Sequence, residues 1–164
     1  MKLLNLTGSL NIKEVSQMHS INQANSPDVG DIPTVSQFKS LIGLSETIYA
    51  YKDNGIVIGF ILLMREGNSY QSENYKFLSS KFNEFLYVDR IAIDVNYRRR
   101  GLAEKIYAKV ISDGERLGLD VLCEVNTRPR NNISLAFHEK MGFKEVGTQD
   151  FIKNSVVYLK RSTR

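Results

Sequence analysis

The 164-residue chain is predicted to fold as one mixed α/β domain, with about seven strands in a mixed, mostly antiparallel sheet flanked by about four helices. Three observations predict it. β-rich runs and helical stretches alternate along residues 1–164, and no repeat or linker divides them. Asn54-Gly55 stands between two β-rich runs, a strong short-range hairpin signal, so part of the sheet is antiparallel. Glycine follows three of the helical stretches, at Gly43, Gly118 and Gly142, as expected at helix C-termini.

Each element has its own reason. Leu3–Leu6 reads as a short strand. Asn11 with Glu14 three residues on forms a capping-box pattern, opening a helix with Val15, Met18 and Ile21 on one stripe until Asn25-Ser26-Pro27 stops it. A second short helix is expected over Val35–Ile42. Thr47–Tyr51 and Ile56–Leu63 are the hairpin strands. Residues 65–83 are too long for a plain hairpin loop, so a short helix is expected near Asn74–Ser80. Phe85–Ile93 is a strand. Ala103–Leu117 is a helix, with Ala103, Ile106, Tyr107, Val110 and Ile111 on one stripe. Leu119–Val125 is a strand, and Asn131–Met141 a helix with Ile133, Phe137 and Met141 in register. Phe143–Gly147 and Val156–Leu159 close the chain as strands.

Composition excludes several functions. With 42% hydrophobic residues, 3 prolines and 11 glycines, the chain is neither collagen-like nor broadly disordered. Ile56–Met64, interrupted by Gly59, is too short an apolar run to span a bilayer. The N-terminus lacks the long apolar core of a secretory signal, which predicts a cytoplasmic protein. Cys123 is the single cysteine and His19 and His138 the two histidines, so neither a disulfide framework nor a metal site is expected. Cys123 fits a buried strand position, and His19 a structural one. The net charge of +4 permits an anionic partner without requiring one.

The most informative stretch is Arg98-Arg99-Arg100-Gly101-Leu102-Ala103, between a strand and a helix. A helix N-terminus offers unpaired backbone N–H groups and partial positive charge. Gly101 permits close approach of a ligand to the backbone, Ala103 keeps the first turn uncluttered, and the arginines add charge-assisted donors. Such a loop suits a pyrophosphate or a similar anion.

Taken with the preceding strand and the following helix, this Arg-x-x-Gly-x-Ala run resembles the acetyl-coenzyme-A motif of the GNAT superfamily of N-acetyltransferases. Asn131-Asn-Ile-Ser-Leu-Ala-Phe-His138-Glu-Lys-Met-Gly142-Phe143 is similar to that superfamily's last conserved helix, and the element order matches along almost the whole chain. At a finer grain, Tyr70-x-Ser-x-Asn-Tyr75, Phe85–Arg90 and Phe137–Phe143 resemble a bacterial branch of predicted acetyltransferases. The resemblance implies a GNAT-like fold and acetyl-coenzyme A as co-substrate. It also implies that backbone groups of Ile91 and Ile93 pair with the pantetheine arm, that N–H groups from Arg99 to Ala103 hold the pyrophosphate, and that Asn131 contacts the cofactor. His138 stands where many relatives carry a tyrosine that protonates the departing thiolate, and Val95 replaces a common proline. Histidine can supply a proton near neutral pH; the competing reading is a capped surface histidine at a helix end.

The acceptor amine is almost wholly protonated at pH 7, so something must take its proton before it attacks. Asp89, on the same strand face as Tyr87 and Ile91, and Glu124 on a neighbouring strand are the candidate bases; each is also plausible as an ion-pair partner. Arg90 should face the other way from Asp89. Tyr70, Tyr75 and the Asn22–Pro27 helix end are candidates to line the acceptor pocket. Arg128 and Arg130 point to a carboxylate-bearing acceptor, or else to the cofactor phosphates. These readings give an N-acetyltransferase acting on a primary amine of a small molecule, with a free amino acid or similar acceptor in view. The alternatives are a protein N-terminal or lysine acetyltransferase, an acyl-coenzyme-A-binding sensor, and a nucleic-acid-binding module using Arg98–Arg100, Arg128, Arg130 and the Lys160–Arg164 tail. No membrane partner is expected. The protein is expected to be a monomer or a homodimer, the latter by pairing of Ser155–Lys160 across the interface.

Overall fold

A computed structural model describes residues 1–164. The elements run β1 (Lys2–Asn5), α1 (Ile12–Ala24), α2 (Val35–Leu44), β2 (Thr47–Asp53), β3 (Ile56–Arg65), α3 (Glu73–Lys81) and β4 (Leu86–Ile93). After a 3-10 turn at Val95–Tyr97 come α4 (Leu102–Leu117), β5 (Val121–Arg128), α5 (Asn132–Lys140), β6 (Lys144–Asp150) and β7 (Ser155–Arg161). The strands form one seven-stranded sheet in the order β1-β2-β3-β4-β5-β7-β6, a mixed sheet of the expected kind, with five helices where about four were expected. No helix is long and apolar enough to cross a membrane. The chain divides into two compact units, Met1–Met64 with Val88–Lys109, and Arg65–Tyr87 with Val110–Arg164.

In the first unit, β2 and β3 pair antiparallel from Thr47↔Leu63 to Asp53↔Ile56. Their turn residues Asn54 (φ 50°) and Gly55 (φ 78°) both lie in the left-handed region, the backbone that a two-residue hairpin turn needs. Val57–Met64 is buried at every position, because a strand covered on both faces needs a continuous apolar run. Gly59 is required there: a β-carbon would lie 2.7 Å from Ile93 Cδ1. The capping box opens α1, with Asn11 Oδ1 accepting from the Glu14 N–H at 2.8 Å and Glu14 Oε1 from the Asn11 N–H at 2.9 Å. Glu14 also pairs with Lys52 on β2, and its bonds to the Asn11 backbone and to Lys52 hold its carboxyl below the usual range despite burial. A second capping box, Thr34 with Gln37, opens α2. Gly43 does not end that helix; it lies inside the last turn, and Ser45 in extended conformation is the cap.

In the second unit, Leu86 and Tyr87 pair in parallel with Val121 and Leu122, while β5–β7 and β6–β7 are antiparallel. β7 is therefore paired along both edges, so Ser155–Lys160 has no edge with which to join a second copy. β5 begins two residues later than expected because the Leu119 N–H donates to Gly114 O at 2.8 Å in the turn after α4, and it extends to Arg128 through pairing with Ser155. α3 lies in the long connection as expected. Its Phe77 ring stacks on Tyr158 with centroids 4.1 Å apart, an approach open because a β-carbon at Gly147 would lie 2.9 Å from Phe77 Cζ. The helical register expected for α5 is shifted: Ile133 is 87% exposed, and His138 faces the interior instead.

Candidate functional site

The first unit carries Asp89, Ile91, Ile93 and Arg98–Ala103; the second carries Glu124, Asn131 and His138. Around the arginine-glycine loop, Arg99 (φ 62°) and Gly101 (φ 74°) take left-handed backbone on either side of Arg100. Alternation of this kind turns successive amides toward one side, the geometry of an anion-binding nest, and it runs directly into the N-terminus of the 16-residue helix α4. No heavy atom lies within 4 Å of a β-carbon built on Gly101, so its conformation, rather than a steric wall, is what calls for glycine. The loop is held from below. Tyr97 donates its hydroxyl to Asp53 Oδ2 at 3.1 Å, and the Arg100 guanidinium stacks 4.7 Å over the Tyr97 ring. Leu102 is buried, while residues Arg98–Gly101 are exposed.

On β4, the Asp89 side chain is 3% exposed and accepts from Arg90 Nε at 2.8 Å, because the long Arg90 side chain folds back instead of facing away. Glu124 has a different setting. It is half-buried and receives the Tyr87 hydroxyl, whose oxygen lies 2.6 Å from Oε1 and 3.0 Å from Oε2. Opposite it in the β5–β7 register stands Tyr158, whose hydroxyl donates to Asn74 Oδ1 at 2.7 Å and lies 2.9 Å from the Gln149 amide. Burial first, then the negative charges of Glu124 and Glu73, push the Tyr158 phenol far up, so it stays neutral. The carboxylates set a negative potential here, suited to an ammonium or an amine losing its proton.

His138 is 5% exposed, which overturns the surface-histidine reading. Its Nδ1 lies 2.8 Å from Ser134 O and 3.2 Å from Ser134 Oγ, so the ring is held within its own helix. Burial outweighs the Ser134 bond and lowers its pKa, which favours the neutral ring. The ring packs edge-on against Phe137 and Phe143. Asn131 caps α5, its Oδ1 accepting from the Ser134 N–H at 3.1 Å.

Several other expected site residues have structural duties. Arg128 donates to Phe151 O at 2.6 Å and to Ser155 Oγ at 3.1 Å, which ties it to the β6–β7 connection, while exposed Arg130 donates from Nε to Asn132 Oδ1 at 2.7 Å. Tyr75 is 2% exposed, donating to Arg65 O at 2.6 Å and accepting from the Asn68 N–H at 3.0 Å; it pins the long connection instead of lining a pocket. In the basic tail, Arg161 Nε caps α5 at Met141 O at 3.0 Å and Lys160 lies 3.9 Å from Asp120. A cleft of about 440 Å³ in the first unit, between α1 and residues 94–96, is lined by Ala24 of the Asn22–Pro27 helix end but by none of the expected catalytic or cofactor-binding residues. Sequence reasoning missed Tyr87 and Tyr158 as polar partners, since both sit in apolar strand runs and read as core.

Residues 15–143 match the family model of the Acetyltransferase (GNAT) family. The chain belongs to the GNAT family. It is thus an acetyl-coenzyme-A-dependent acyltransferase. Solved GNAT structures share its fold. The ribosomal-protein-S18-alanine N-acetyltransferase from Escherichia coli is similar with a TM-score of 0.71 at 16% identity, over 97% of this chain and 91% of that one. An N-acetyltransferase from Staphylococcus aureus Mu50 gives 0.71 at 17% identity, over 100% of both chains. Arabidopsis thaliana NAA60 in complex with acetyl-CoA gives 0.71 at 16% identity, over 98% of this chain and 97% of that one. No curated protein sequence matches.

Proposed function

We propose that this GNAT enzyme, working as one catalytic domain over residues 1–164 in the cytoplasm, acetylates the primary amine of a small molecule. The observation that carries the reading is the Glu124 carboxylate, half-buried and oriented by the Tyr87 hydroxyl at 2.6 Å, beside a tyrosine held neutral. The N–H groups of Arg99 to Ala103 receive the cofactor's pyrophosphate, Arg98 and Arg100 add charge, and the Ile91 and Ile93 backbone takes the pantetheine arm as an added strand. The exposed left-handed turns at Arg99 and Gly101 fit that group. Acetyl-coenzyme A would supply the acetyl group as a thioester; as the C–N bond forms and the C–S bond breaks, coenzyme A leaves as the thiolate, which the second proton shed by the nitrogen converts to the thiol.

Glu124 draws the ammonium form of the acceptor and accepts at its carboxylate the proton that the amine must lose to attack. Tyr87 keeps that carboxylate in one orientation. Asp89 with Arg90 stiffens β4, and His138 and Asn131 fix α5 by packing and capping. The free-amino-acid refinement loses the support of Arg128, which is engaged by Phe151 O and Ser155 Oγ, and rests on Arg130 alone. A protein N-terminus is the second reading, favoured by the likeness of fold to the Escherichia coli ribosomal-protein enzyme. Following thiol release with acetyl-coenzyme A, against a panel of alkyl amines and of peptides with unblocked N-termini, tests both. Turnover confined to small amines supports the proposal; turnover confined to peptides overturns it in favour of the second reading.

A further inference from the structure

We infer that Asn25, at the C-terminal end of α1, is a positioning residue for the pyrophosphate loop, acting through Arg98. This inference rests on the proposed role of that loop. Asn25 uses its whole side-chain amide. Nδ2 donates to Ile21 O at 2.8 Å and to Ile93 O at 3.1 Å, so it is anchored on both α1 and β4. Those two bonds fix the plane of the amide and aim Oδ1 at Arg98, whose Nη2 donates to it at 2.7 Å. No other residue type repeats the arrangement. Aspartate lacks both donors and would set a carboxylate against two carbonyls; glutamine would displace the amide by a methylene.

The surroundings make this a platform instead of an incidental surface contact. Arg90 donates from Nη1 to Asn22 Oδ1 at 2.9 Å and to Gly30 O at 3.0 Å, while its Nε holds Asp89. Asn22, fully buried, also donates to Gly30 O at 3.1 Å. The connection after α1 is thereby tied to β4, and Asn25 sits on a fixed base. Arg98 itself is exposed. Left to solvent, its long side chain would sample many rotamers, and a bound anion would bear the cost of ordering it. One of its five N–H donors engaged by Asn25 selects a rotamer in advance and leaves the rest of the fork for phosphate oxygens.

The test is a thermodynamic cycle read by calorimetric titration with coenzyme A, on the wild type, N25A, R98A and the double variant, with thermal unfolding in parallel. N25A is expected to weaken binding about three- to tenfold, R98A by more, and the double variant no further than R98A alone. Turnover with S-acetylpantetheine, which carries no pyrophosphate, is expected to keep its KM in N25A; a merely structural role would weaken both donors. Asn25→Ser, which cannot reach Arg98, replaces N25A if the latter fails to fold. Wild-type affinity in N25A, or losses that simply add in the double variant, would overturn the inference and leave the proposed function standing. Wild-type affinity in R98A would overturn it as well and also remove Arg98 from the proposed cofactor site.

Discussion

The loop at Arg98–Ala103 and the helix α5 carry function in opposite ways. In the loop, the groups proposed to bind the cofactor are backbone N–H donors on an exposed turn, shaped by positive φ at Arg99 and Gly101 and by the start of a long helix. In α5, the residue at the expected acid position is a buried side chain, hydrogen-bonded within its own helix, whose pKa burial lowers. Backbone chemistry tolerates any side chain that keeps the conformation. Side-chain chemistry depends on every neighbour that sets burial and hydrogen bonding. A motif therefore transfers the first more safely than the second.

If the proton work lies with Glu124, Glu124→Gln will lower kcat by about 10²–10⁴, the usual contribution of a positioned base, while coenzyme A binding stays near wild type. Activity within a few-fold of wild type would return Asp89 or His138 to consideration. A smaller but two-sided effect is expected in the loop. Gly101→Val places a β-branched residue at φ 74°, costing about 1–2 kcal/mol in stability and weakening acetyl-coenzyme A binding at least about tenfold. Calorimetry beside thermal unfolding separates the two losses.

His138 gives a pH-dependent prediction. Its folded pKa lies below the unfolded value near 6.5, so at mildly acidic pH the unfolded chain binds the extra proton. Its contribution to stability is complete above that value and is lost as pH falls from there toward the lowered folded pKa. His138→Gln should flatten this acid slope in denaturant titrations and leave the alkaline limb of kcat unchanged; an alkaline limb that vanishes in the variant would restore the acid role. No effect on function is expected from Tyr75→Phe, which removes the hydroxyl shared by Arg65 O and the Asn68 N–H and should cost about 1–3 kcal/mol of stability without altering coenzyme A affinity.

The elements legible in the sequence were those with local causes. Asn11–Glu14, Asn54-Gly55 and the stripe of α4 each specify their own backbone within a few residues. Gly43 misled because a glycine can sit inside a last turn when the following Ser45 is free to extend. The register of α5 was misread because Ile133 and His138 exchange the faces that hydropathy assigns them: a polar ring is buried when its hydrogen bond is made within its own helix. Arg90 and Arg128 were misplaced for a related reason. A long side chain reaches several ångströms from its own position, so alternation along a strand does not locate its guanidinium. Asn25 was visible as a helix stop and as part of the Asn22–Pro27 stretch expected at the acceptor pocket, but not as a support for the loop, since its partners Ile93 and Arg98 lie about seventy residues away in the chain.

The most direct test of the account is a proton inventory of the base itself: kcat/KM against pH for wild type and Glu124→Gln, with acetyl-coenzyme A saturating and an alkyl amine as acceptor. The account predicts an acid limb in the wild type that disappears in the variant, where a much lower rate rises with pH only as the neutral amine accumulates. An acid limb that survives unchanged in Glu124→Gln would contradict it.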